Sequence, residues 1–526
     1  MQEKSSINKY FNSDILKPKI FLALFGIFFS AIIIRLAYVN FEVPLTLDSL
    51  EYFFYASDIL ITGKIPNDYT IANNGWAMLL SGIFWFFQFE NIINYMNLQK
   101  IISISISSLT IFPIYIFARK YVSIKHSILG AFIFAIEPHL IQNSLFGISD
   151  SLYIFLIVIS FCFFISNNKK LNYLAFLIAG FSTIVRSEGL FLMLGLSIMF
   201  IIKYKNEKFV FPKYTIALAL FLLVVLPMSY YKYDVKGEDG IFMRAGNSFL
   251  KHTDIVPESN VNSGFPFIHT GIENYSKFFV WNMIPIFGFF VPFGIYFLLK
   301  NRNFEKKFLI VSAITMSLPT FYAYSIPLLD GRYFYFLFPI FCIVSLLAIE
   351  KFSIKMKNEN IIIICIIIGI TIASNYYLYE KINNEHEIEV LKIAKIISMD
   401  KKIINSFLPE EKYIEVTTLP EKWNEFTEIF EKRYKGKSIR STLDHNVNTV
   451  LVNEKNSLEE YMVFFRETNI SHIIVDDKND LAIFDDIHAN EENYSFLIKE
   501  FDSKEENFSY HLKIFKIDFE NFEEGK

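Results

Sequence analysis

Long apolar runs, separated by short charged segments, fill the first 380 residues of the chain. Each run approaches the roughly 20 residues that cross the hydrocarbon core of a bilayer as a helix. The pattern predicts eleven spans, near residues 19–40, 101–118, 126–145, 150–166, 171–186, 188–202, 213–231, 278–299, 307–324, 332–350 and 360–379. No small-residue cleavage site follows the first run, which is too long for a cleavable signal. We therefore expect a polytopic α-helical membrane protein.

Basic residues between the spans predict the orientation of the chain. Lys17 and Lys19 precede the first span, and a cluster of Lys or Arg follows each even-numbered span, such as Lys169 and Lys170 after the fourth. With eleven spans, all of these clusters fall on one side, which the positive-inside rule makes cytoplasmic. We therefore expect a cytoplasmic N-terminus, a multi-pass location in the cell membrane and an extracytoplasmic C-terminal segment.

A different pattern begins after residue 380. Amphipathic helical patterns at 387–399, 421–433, 457–467 and 491–501 alternate with strand-like runs at 413–416, 472–475 and 512–515. This alternation predicts a soluble α/β domain over 381–526, behind a transmembrane domain over 1–380. Its function is left open between presenting an acceptor and a purely structural role.

The first long outer loop, residues 41–100, contains two amphipathic patterns. In the first, helical spacing places five polar side chains on one face: Asp48, Glu51, Tyr52, Tyr55 and Asp58. The second runs from Gly75 to Phe87, with two Trp residues suited to a membrane interface. We expect both segments to be interfacial helices that lie on the outer membrane surface.

Composition and charge separate the two parts of the chain. The 526 residues are 53% hydrophobic, with a mean hydropathy of +0.34, well above that of soluble proteins. Residues 381–526 carry 20 Lys and Arg against 31 Asp and Glu, a net charge of −11, which leaves +7 for residues 1–380. The three Cys residues lie in apolar runs and suggest no disulfide framework. Nothing in the charge pattern suggests nucleic-acid binding.

Carboxylates and arginines collect at the predicted outer membrane edge. They come from loops far apart in the chain: Asp48, Glu51, Asp150, Arg186, Glu188 and Arg332. Arginine at two outer positions of a lysine-rich chain favours forked recognition of a phosphate or carboxylate. A carboxylate there could act as a general base on an acceptor hydroxyl, and fixed cations could stabilise a departing phosphate.

Each candidate also has a structural alternative. Asp48 and Glu51 fit a capping box, Asp150 could cap a helix, and the arginines could extend their charges to the interface. Glu137 lies inside the third predicted span, where an ionisable group is a functional hypothesis by default. Its alternative is a turn kinked by Pro138.

Four motifs in this order resemble the GT-C superfamily of membrane glycosyltransferases, and in particular protein O-mannosyltransferase and aminoarabinose-transferase relatives. They are Asp48-Ser49-Leu50-Glu51-Tyr52, Ser149-Asp150-Ser151-Leu152-Tyr153, Val185-Arg186-Ser187-Glu188-Gly189 and Gly331-Arg332-Tyr333. The likeness covers roughly residues 20–350. This chain departs from the family pattern where Ser49 takes the usual Glu position, where Ser187 replaces Pro, and where Asn73-Asn74-Gly75 stands in place of a Pro pair.

The resemblance implies an inverting transfer of a hexosyl or pentosyl group from a polyprenyl (dolichyl) phosphate to a protein, lipid or glycan acceptor outside the cell. It implies Asp48 as the general base and Asp150 as an assisting group. Arg332 and Arg186 would receive the lipid phosphate, and the other expected substrate contacts are Glu51, Tyr52, Glu137, Glu188 and Tyr333. A divalent cation between two carboxylates is compatible with this chemistry, although a lipid monophosphate donor does not require one.

Three other functions are weighed against this one. Oligosaccharyltransferase, in the same superfamily, should show a Trp-Trp-Asp-Tyr-Gly stretch, but the single Trp of the tail, Trp423, precedes Asn424. A polytopic transporter or flippase of lipid-linked or polar substrates should show repeats or midplane charges. A non-catalytic scaffold gives no reason for the placement of the acids and arginines. We therefore favour the glycosyltransferase, with the transporter as the alternative.

Overall fold

The computed structural model describes residues 17–66, 73–237, 239–243, 264–300, 303–326, 328–355, 358–399, 411–417, 419–433, 457–467, 470–477 and 482–524. Residue contacts divide the chain into two compact units. The membrane unit comprises Met1–Val39, Tyr55–Phe86 and Leu98–Ile382. The tail unit comprises Asn40–Phe54, Phe87–Asn97 and Asn383–Lys526.

Helices make up the membrane unit. Those that belong wholly to it are α1 Pro18–Tyr38, α3 Gly75–Phe84, α5 Ile111–Ala118, α6 Ile124–Ala135, α7 Pro138–Leu145, α8 Asp150–Ile165, α9 Lys169–Val185, α10 Gly189–Tyr204, α11 Val210–Lys236, α12 Gly264–Met283, α13 Phe290–Lys300, α14 Phe304–Ser325, the 3-10 helix Gly331–Leu337, α15 Phe338–Ile354 and α16 Glu359–Lys381. Two more helices, α2 Leu47–Thr62 and α4 Ile92–Leu109, divide between the units.

Six of the described helices are long and apolar enough to cross a membrane, or seven if the bent pair α6 and α7 forms one span. Several of the other predicted spans correspond to shorter apolar helices, among them α8, α10 and α13. The prediction of a polytopic α-helical membrane protein is confirmed. The count of eleven spans stays a prediction, because the short helices have fewer than the roughly 20 residues that cross the hydrocarbon core of a bilayer.

Two predicted spans are interrupted where proline removes a backbone donor. The span at 126–145 is two helices that meet before Pro138 at a bend of 46°. The span at 278–299 ends its first helix at Met283, and the second helix starts at Phe290, with Pro285 in the turn between them. The sequence offered the first break as the alternative for Glu137, a turn kinked by Pro138. Hydropathy gave no sign of the second break, because it does not register the loss of a backbone hydrogen bond.

The tail unit combines helices with a small sheet. Its elements after residue 382 are α17 Asn384–Met399, α18 Glu411–Thr417, α19 Trp423–Arg433, α20 Leu458–Glu467, β1 His472–Asp476, α21 Ala482–Ala489, the 3-10 helix Glu491–Asn493, β2 Leu497–Asp502, β3 Leu512–Ile517 and α22 Phe519–Glu524. The three strands are antiparallel in the order β1-β3-β2. Tyr461 and Phe465 of α20 pack with Val475 and Phe515 of the sheet in one apolar cluster.

Two predictions for the tail are wrong. The strand-like run at 413–416 is helical, within α18. The helical pattern at 491–501 is one 3-10 turn followed by the edge strand β2. In β2 the side chains of Leu497 and Asp502 are buried while Ile498 is exposed, so pairing with β3 outweighs the local helical pattern.

Part of the first outer loop folds with the tail. Asn91 and Lys422 form an isolated antiparallel bridge, and Trp423 donates its backbone N–H to the Glu90 carbonyl at 2.7 Å. The Trp423 ring lies 4.4 Å from the ring of Tyr95. The predicted division at residue 380 therefore differs from the observed one, because backbone pairing and ring packing join residues 87–97 to the tail.

The expected interfacial helices are more buried than a surface position allows. In α2, Tyr55 and Asp58 of the predicted polar face are 2% and 1% exposed. In α3, Trp76 is fully buried, whereas Trp85 after the end of the helix is exposed. Periodicity identified the helices, but it could not show that packing within the protein buries the predicted polar face of α2 or the Trp76 side chain of α3.

Candidate functional site

Asp150 begins α8 at the end of a tightly held loop. Gly147 has a φ of +72°, a left-handed conformation that favours glycine. Its carbonyl accepts hydrogen bonds from the Trp76 indole at 3.0 Å and from the Gln99 amide at 2.8 Å. A Cβ at Gly147 would lie 3.1 Å from the Gln99 side chain. Side chains from other helices therefore hold the loop that leads into Asp150.

Arg186 joins the two neighbouring carboxylates. Its guanidinium forms an ion pair with Asp150 through Nη1 and one with Glu188 through Nη2, the latter at 2.8 Å. The Asp150 side chain is 5% exposed, against 18% for Arg186 and 16% for Glu188. Two acids and one arginine predicted from two motifs thus meet in one cluster, although their side chains were not predicted to bond to each other.

Tyr153 lies one helical turn after Asp150 and completes this cluster. The Arg186 guanidinium lies over its ring, 5.9 Å from the centroid. Among the described residues, neither the buried Tyr153 hydroxyl nor Oδ2 of Asp150 has a hydrogen-bond partner. Buried polar atoms are normally hydrogen-bonded, so these two could receive groups from a ligand.

A close approach of the chain shapes the turn that carries Arg186 and Glu188. The turn connects α9 to α10 and ends at Gly189. A Cβ at Gly189 would lie 2.6 Å from the backbone nitrogen of Thr183, so a side chain there would push the turn open. Glycine thus brings the two charged side chains close to Asp150.

Arg332 lies at the start of the 3-10 helix Gly331–Leu337. Its Nε donates to Asp330 at 2.6 Å, and the other oxygen of Asp330 accepts the Arg332 backbone N–H at 2.8 Å. Both side chains remain more than a third exposed. The next residue, Tyr333, interacts electrostatically with Arg186 and Glu188, so this helix belongs to the same neighbourhood.

Glu137 is almost fully buried, and both of its oxygens are engaged. Oε2 accepts the backbone N–H of Leu140 at 2.8 Å and caps α7, and Oε1 bonds to Nδ1 of His139 at 2.9 Å. The imidazole lies among aromatic rings, 4.7 Å from that of Tyr377. This arrangement agrees with the structural alternative for Glu137, a turn kinked by Pro138, in which the carboxylate contacts a buried histidine.

Asp48, Glu51 and Tyr52 belong to the tail unit, unlike the other candidate residues. The helix begins at Leu47, so Asp48 lies in its first turn and is not the N-cap of a capping box. Asp48 is exposed, whereas Glu51 and Tyr52 are buried.

Several residues of this region escaped sequence reasoning. Arg35 in α1 is a buried cation inside a predicted span, at 0% exposure, and Lys100 in α4 is a buried cation immediately before one, at 5% exposure. A charge inside an apolar run is the signal that could have identified Arg35. No local signal marks the hydroxyl of Tyr153 or the contact of Asp330 with Arg332, because both depend on the fold.

Within the described ranges, no three His, Cys, Asp or Glu side chains form a group that could hold a metal ion. Asp150 and Glu188 instead contact the cationic Arg186. The described residues therefore do not assemble the expected cation site, and no step below is assigned to a metal.

The arrangement suits recognition of an anion beside a hydroxyl. Arg186 and Arg332 each lie against a carboxylate that a ligand anion could replace, and Asp150 and Tyr153 supply buried polar atoms beside Arg186. In a site with little water, such charges interact more strongly with a developing negative charge than they would in solvent.

Comparison with known proteins identifies the fold. No protein-family model matches the chain, and no curated protein matches it either. Among solved structures, the oligosaccharyltransferase of Archaeoglobus fulgidus in complex with Zn and sulfate superimposes with a TM-score of 0.53 at 15% identity, covering 86% of this chain and 68% of that one. ArnT from Cupriavidus metallidurans bound to undecaprenyl phosphate superimposes with a TM-score of 0.54 at 9% identity, covering 93% and 96%.

At these identities the likeness establishes the fold alone. Both structures have the GT-C fold, so the resemblance predicted from the four motifs is confirmed at that level. The two superpose about equally well, and the fold therefore does not separate an oligosaccharyltransferase from an ArnT-like enzyme.

Proposed function

We propose that this chain is an integral-membrane inverting glycosyltransferase that uses a sugar linked to a polyprenyl phosphate. The observation that carries the proposal is the cluster of Asp150, Arg186 and Glu188 beside the helix of Arg332, on a fold shared with ArnT bound to undecaprenyl phosphate. We expect the reaction on the extracytoplasmic side, where the charge pattern places the outer loops.

In the proposed reaction, an acceptor hydroxyl oxygen attacks the anomeric carbon of the sugar. The bond from that carbon to the lipid phosphate breaks, the phosphate leaves on its lipid, and the configuration inverts. The hydroxyl proton passes to the carboxylate of Asp48, whose exposure leaves it accessible to a substrate. Asp150 orients the acceptor, and Glu51, Tyr52, Glu188 and Tyr333 contact the substrates.

Arg332 receives the departing phosphate, assisted by Arg186. Guanidinium groups pair with phosphate through two parallel hydrogen bonds, which fixes the leaving group as its charge grows. Arg332 is partly exposed and can exchange Asp330 for a ligand more readily than Arg186 can exchange its two carboxylates. Glu137, whose oxygens are engaged inside the protein, positions the helix break.

The acceptor is a protein, lipid or glycan, and the sugar is a hexosyl or pentosyl group. The archaeal oligosaccharyltransferase structure contains Zn, so a divalent cation remains compatible with the proposed reaction. A metal titration of the purified protein would test this point, because a required cation would restore transfer after chelation.

A donor screen tests the function directly. Purified full-length protein is incubated with polyprenyl-phosphate sugars and with membrane extracts as acceptors, and the products are analysed by mass spectrometry. We expect a glycosidic product with the wild-type protein and none with Asp48→Asn, whereas Glu42→Gln at a nearby exposed carboxylate should leave transfer intact.

Two outcomes would count against the proposal. Full transfer by Asp48→Asn would remove the assigned base. Substrate flux into sealed vesicles without any glycosidic product would instead favour a transporter or flippase.

A further inference from the structure

A fully buried arginine in the first helix reaches three other segments of the membrane unit. The Arg35 guanidinium donates to the carbonyl of Ala135 at 2.9 Å, to Ser107 at 3.1 Å and to Ser144 at 3.2 Å. It also bonds to Ala31 within its own helix. A charge in apolar surroundings is costly, and it persists where its hydrogen bonds or its function require it.

Arg35 contacts both sides of the break between α6 and α7. Ala135 is the last residue of α6, and Ser144 lies near the end of α7. A helix end leaves carbonyls that no following N–H reaches. Here Arg35 binds the carbonyl of Ala135, and the hydroxyl of Ser374 in α16 binds that of Ile136. Side chains from two other helices therefore close the break.

The charge of Arg35 also has a counterpart at the break. Glu137 interacts electrostatically with the guanidinium and caps α7 through its bond to Leu140. Glu137 in turn bonds to His139. A buried network of Arg35, Glu137 and His139 thus holds the bend.

The position of α7 determines where Asp150 lies. Only a short loop, held at Gly147 by Trp76 and Gln99, connects the end of α7 to Asp150, the first residue of α8. A change in the bend would move this loop against its anchors. Displacement of a reacting group by about 1 Å can cost a factor of roughly 100 in rate.

We propose that Arg35 is a positioning residue that fixes Asp150 in the active site by holding the α6–α7 break. The inference rests on the proposed function only for the role of Asp150. A lysine would not replace it fully, because a single ammonium cannot present the planar fork that reaches Ala135, Ser107 and Ser144 together.

A distance measurement tests the positioning without any substrate. Cysteines are introduced at Phe146 and Leu109, both exposed, in a full-length protein whose Cys162, Cys342 and Cys365 are changed to Ala. Spin labels then report the distance distribution by pulsed electron paramagnetic resonance. We expect a broader or shifted distribution in Arg35→Met, a partial effect in Arg35→Lys and no change in Arg119→Met.

An unchanged distribution in Arg35→Met would overturn the inference. If that variant does not fold, Ser144→Ala removes one acceptor of the guanidinium and should shift or broaden the distribution in the same direction to a smaller extent. No change in Ser144→Ala would then overturn it.

Kinetics test whether the positioning matters for transfer. Per folded molecule, we expect Arg35→Met to lower kcat roughly 100-fold, with the KM for the polyprenyl-phosphate donor nearly unchanged, and Arg35→Lys to recover part of kcat. A lower yield of folded protein with an unchanged kcat would mean a merely structural role and would overturn the inference. Absence of transfer by the wild-type protein would count against the proposed function, while the distance measurement would still decide the role of Arg35.

Discussion

Asp150 and Asp48, the two acids with roles in the proposed reaction, occupy contrasting surroundings. Asp150 belongs to the membrane unit, is nearly fully buried and pairs with Arg186. Asp48 belongs to the tail unit and is exposed. An exposed carboxylate is accessible to a substrate, whereas the Asp150 carboxylate is engaged by Arg186 inside the protein. The contrast supports Asp48 as the base and Asp150 as an orienting group.

The two units also differ in how their polar groups are held. In the membrane unit, buried charges such as Arg35, Glu137 and Asp150 are hydrogen-bonded to other protein groups. In the tail unit, the ion pair of Arg466 with Glu523 is exposed on both sides. Buried networks are costly to break, and exposed pairs contribute little. Substitutions at these buried charges should therefore have larger effects than substitutions at the exposed pair.

The largest effect is expected when Arg186 is removed. Arg186→Met leaves the buried Asp150 carboxylate without its cation and should lower the free energy of unfolding by about 3 kcal/mol. Adding Asp150→Asn should recover most of this stability, because the uncompensated charge is gone, but it should not recover transfer. Thermal unfolding in detergent and the transfer assay measure the two quantities. If the double variant recovered both stability and transfer, the ion pair of Arg186 and Asp150 would have only a structural role.

Arg332→Gln should weaken donor binding with little effect on stability. The loss of one charge-assisted hydrogen bond to phosphate, worth about 1.5–3 kcal/mol, corresponds to a roughly 10- to 100-fold loss of affinity for undecaprenyl phosphate. Binding is measured by titration of the purified protein. Arg466→Gln, at an exposed arginine of the tail, is the matched control. Equal affinities in both variants would exclude Arg332 as the phosphate ligand.

Trp423→Ala should loosen the part of the first outer loop that folds with the tail. The ring packs on Tyr95 and Phe426 and is half-buried, so its loss should cost about 1–2 kcal/mol. We expect faster proteolysis within Phe87–Asn97, read by mass spectrometry. Trp85→Ala, at a more exposed ring, should have no such effect. If cleavage stays slow, the contact with Trp423 does not hold this segment.

The smallest effect is a pH dependence of the tail. Burial, followed by the nearby His511 and Lys513, lowers the pKa of His488, although Asp476 and Asp477 oppose the shift. Because the folded state binds this proton less tightly, stability should be full above the ordinary pKa of about 6.5 and should fall as pH drops below it. In thermal scans of the whole chain, His488→Gln should lose less stability between pH 7.5 and 5.5 than the wild type. An identical loss would contradict this assignment.

Sequence patterns predicted much of the fold because the signals involved are local. Hydropathy located the membrane helices, and periodicity located α17, α19 and α20 of the tail. Local patterns failed where long-range pairing decides, as in β2, whose pairing with β3 is not visible in residues 491–501. They also failed at the break between Met283 and Phe290, where a turn that contains proline interrupts a continuous apolar run.

For the site, the sequence by itself determined which residues carry suitable chemistry: the acids and arginines of four separate motifs. Only the tertiary structure decided that Arg186 pairs with Asp150 and that Arg35 closes the break before Asp150. The physical reason is that these bonds join segments up to about one hundred residues apart. Residue type shows that a group can donate, accept or carry charge, but its partner depends on how the helices pack.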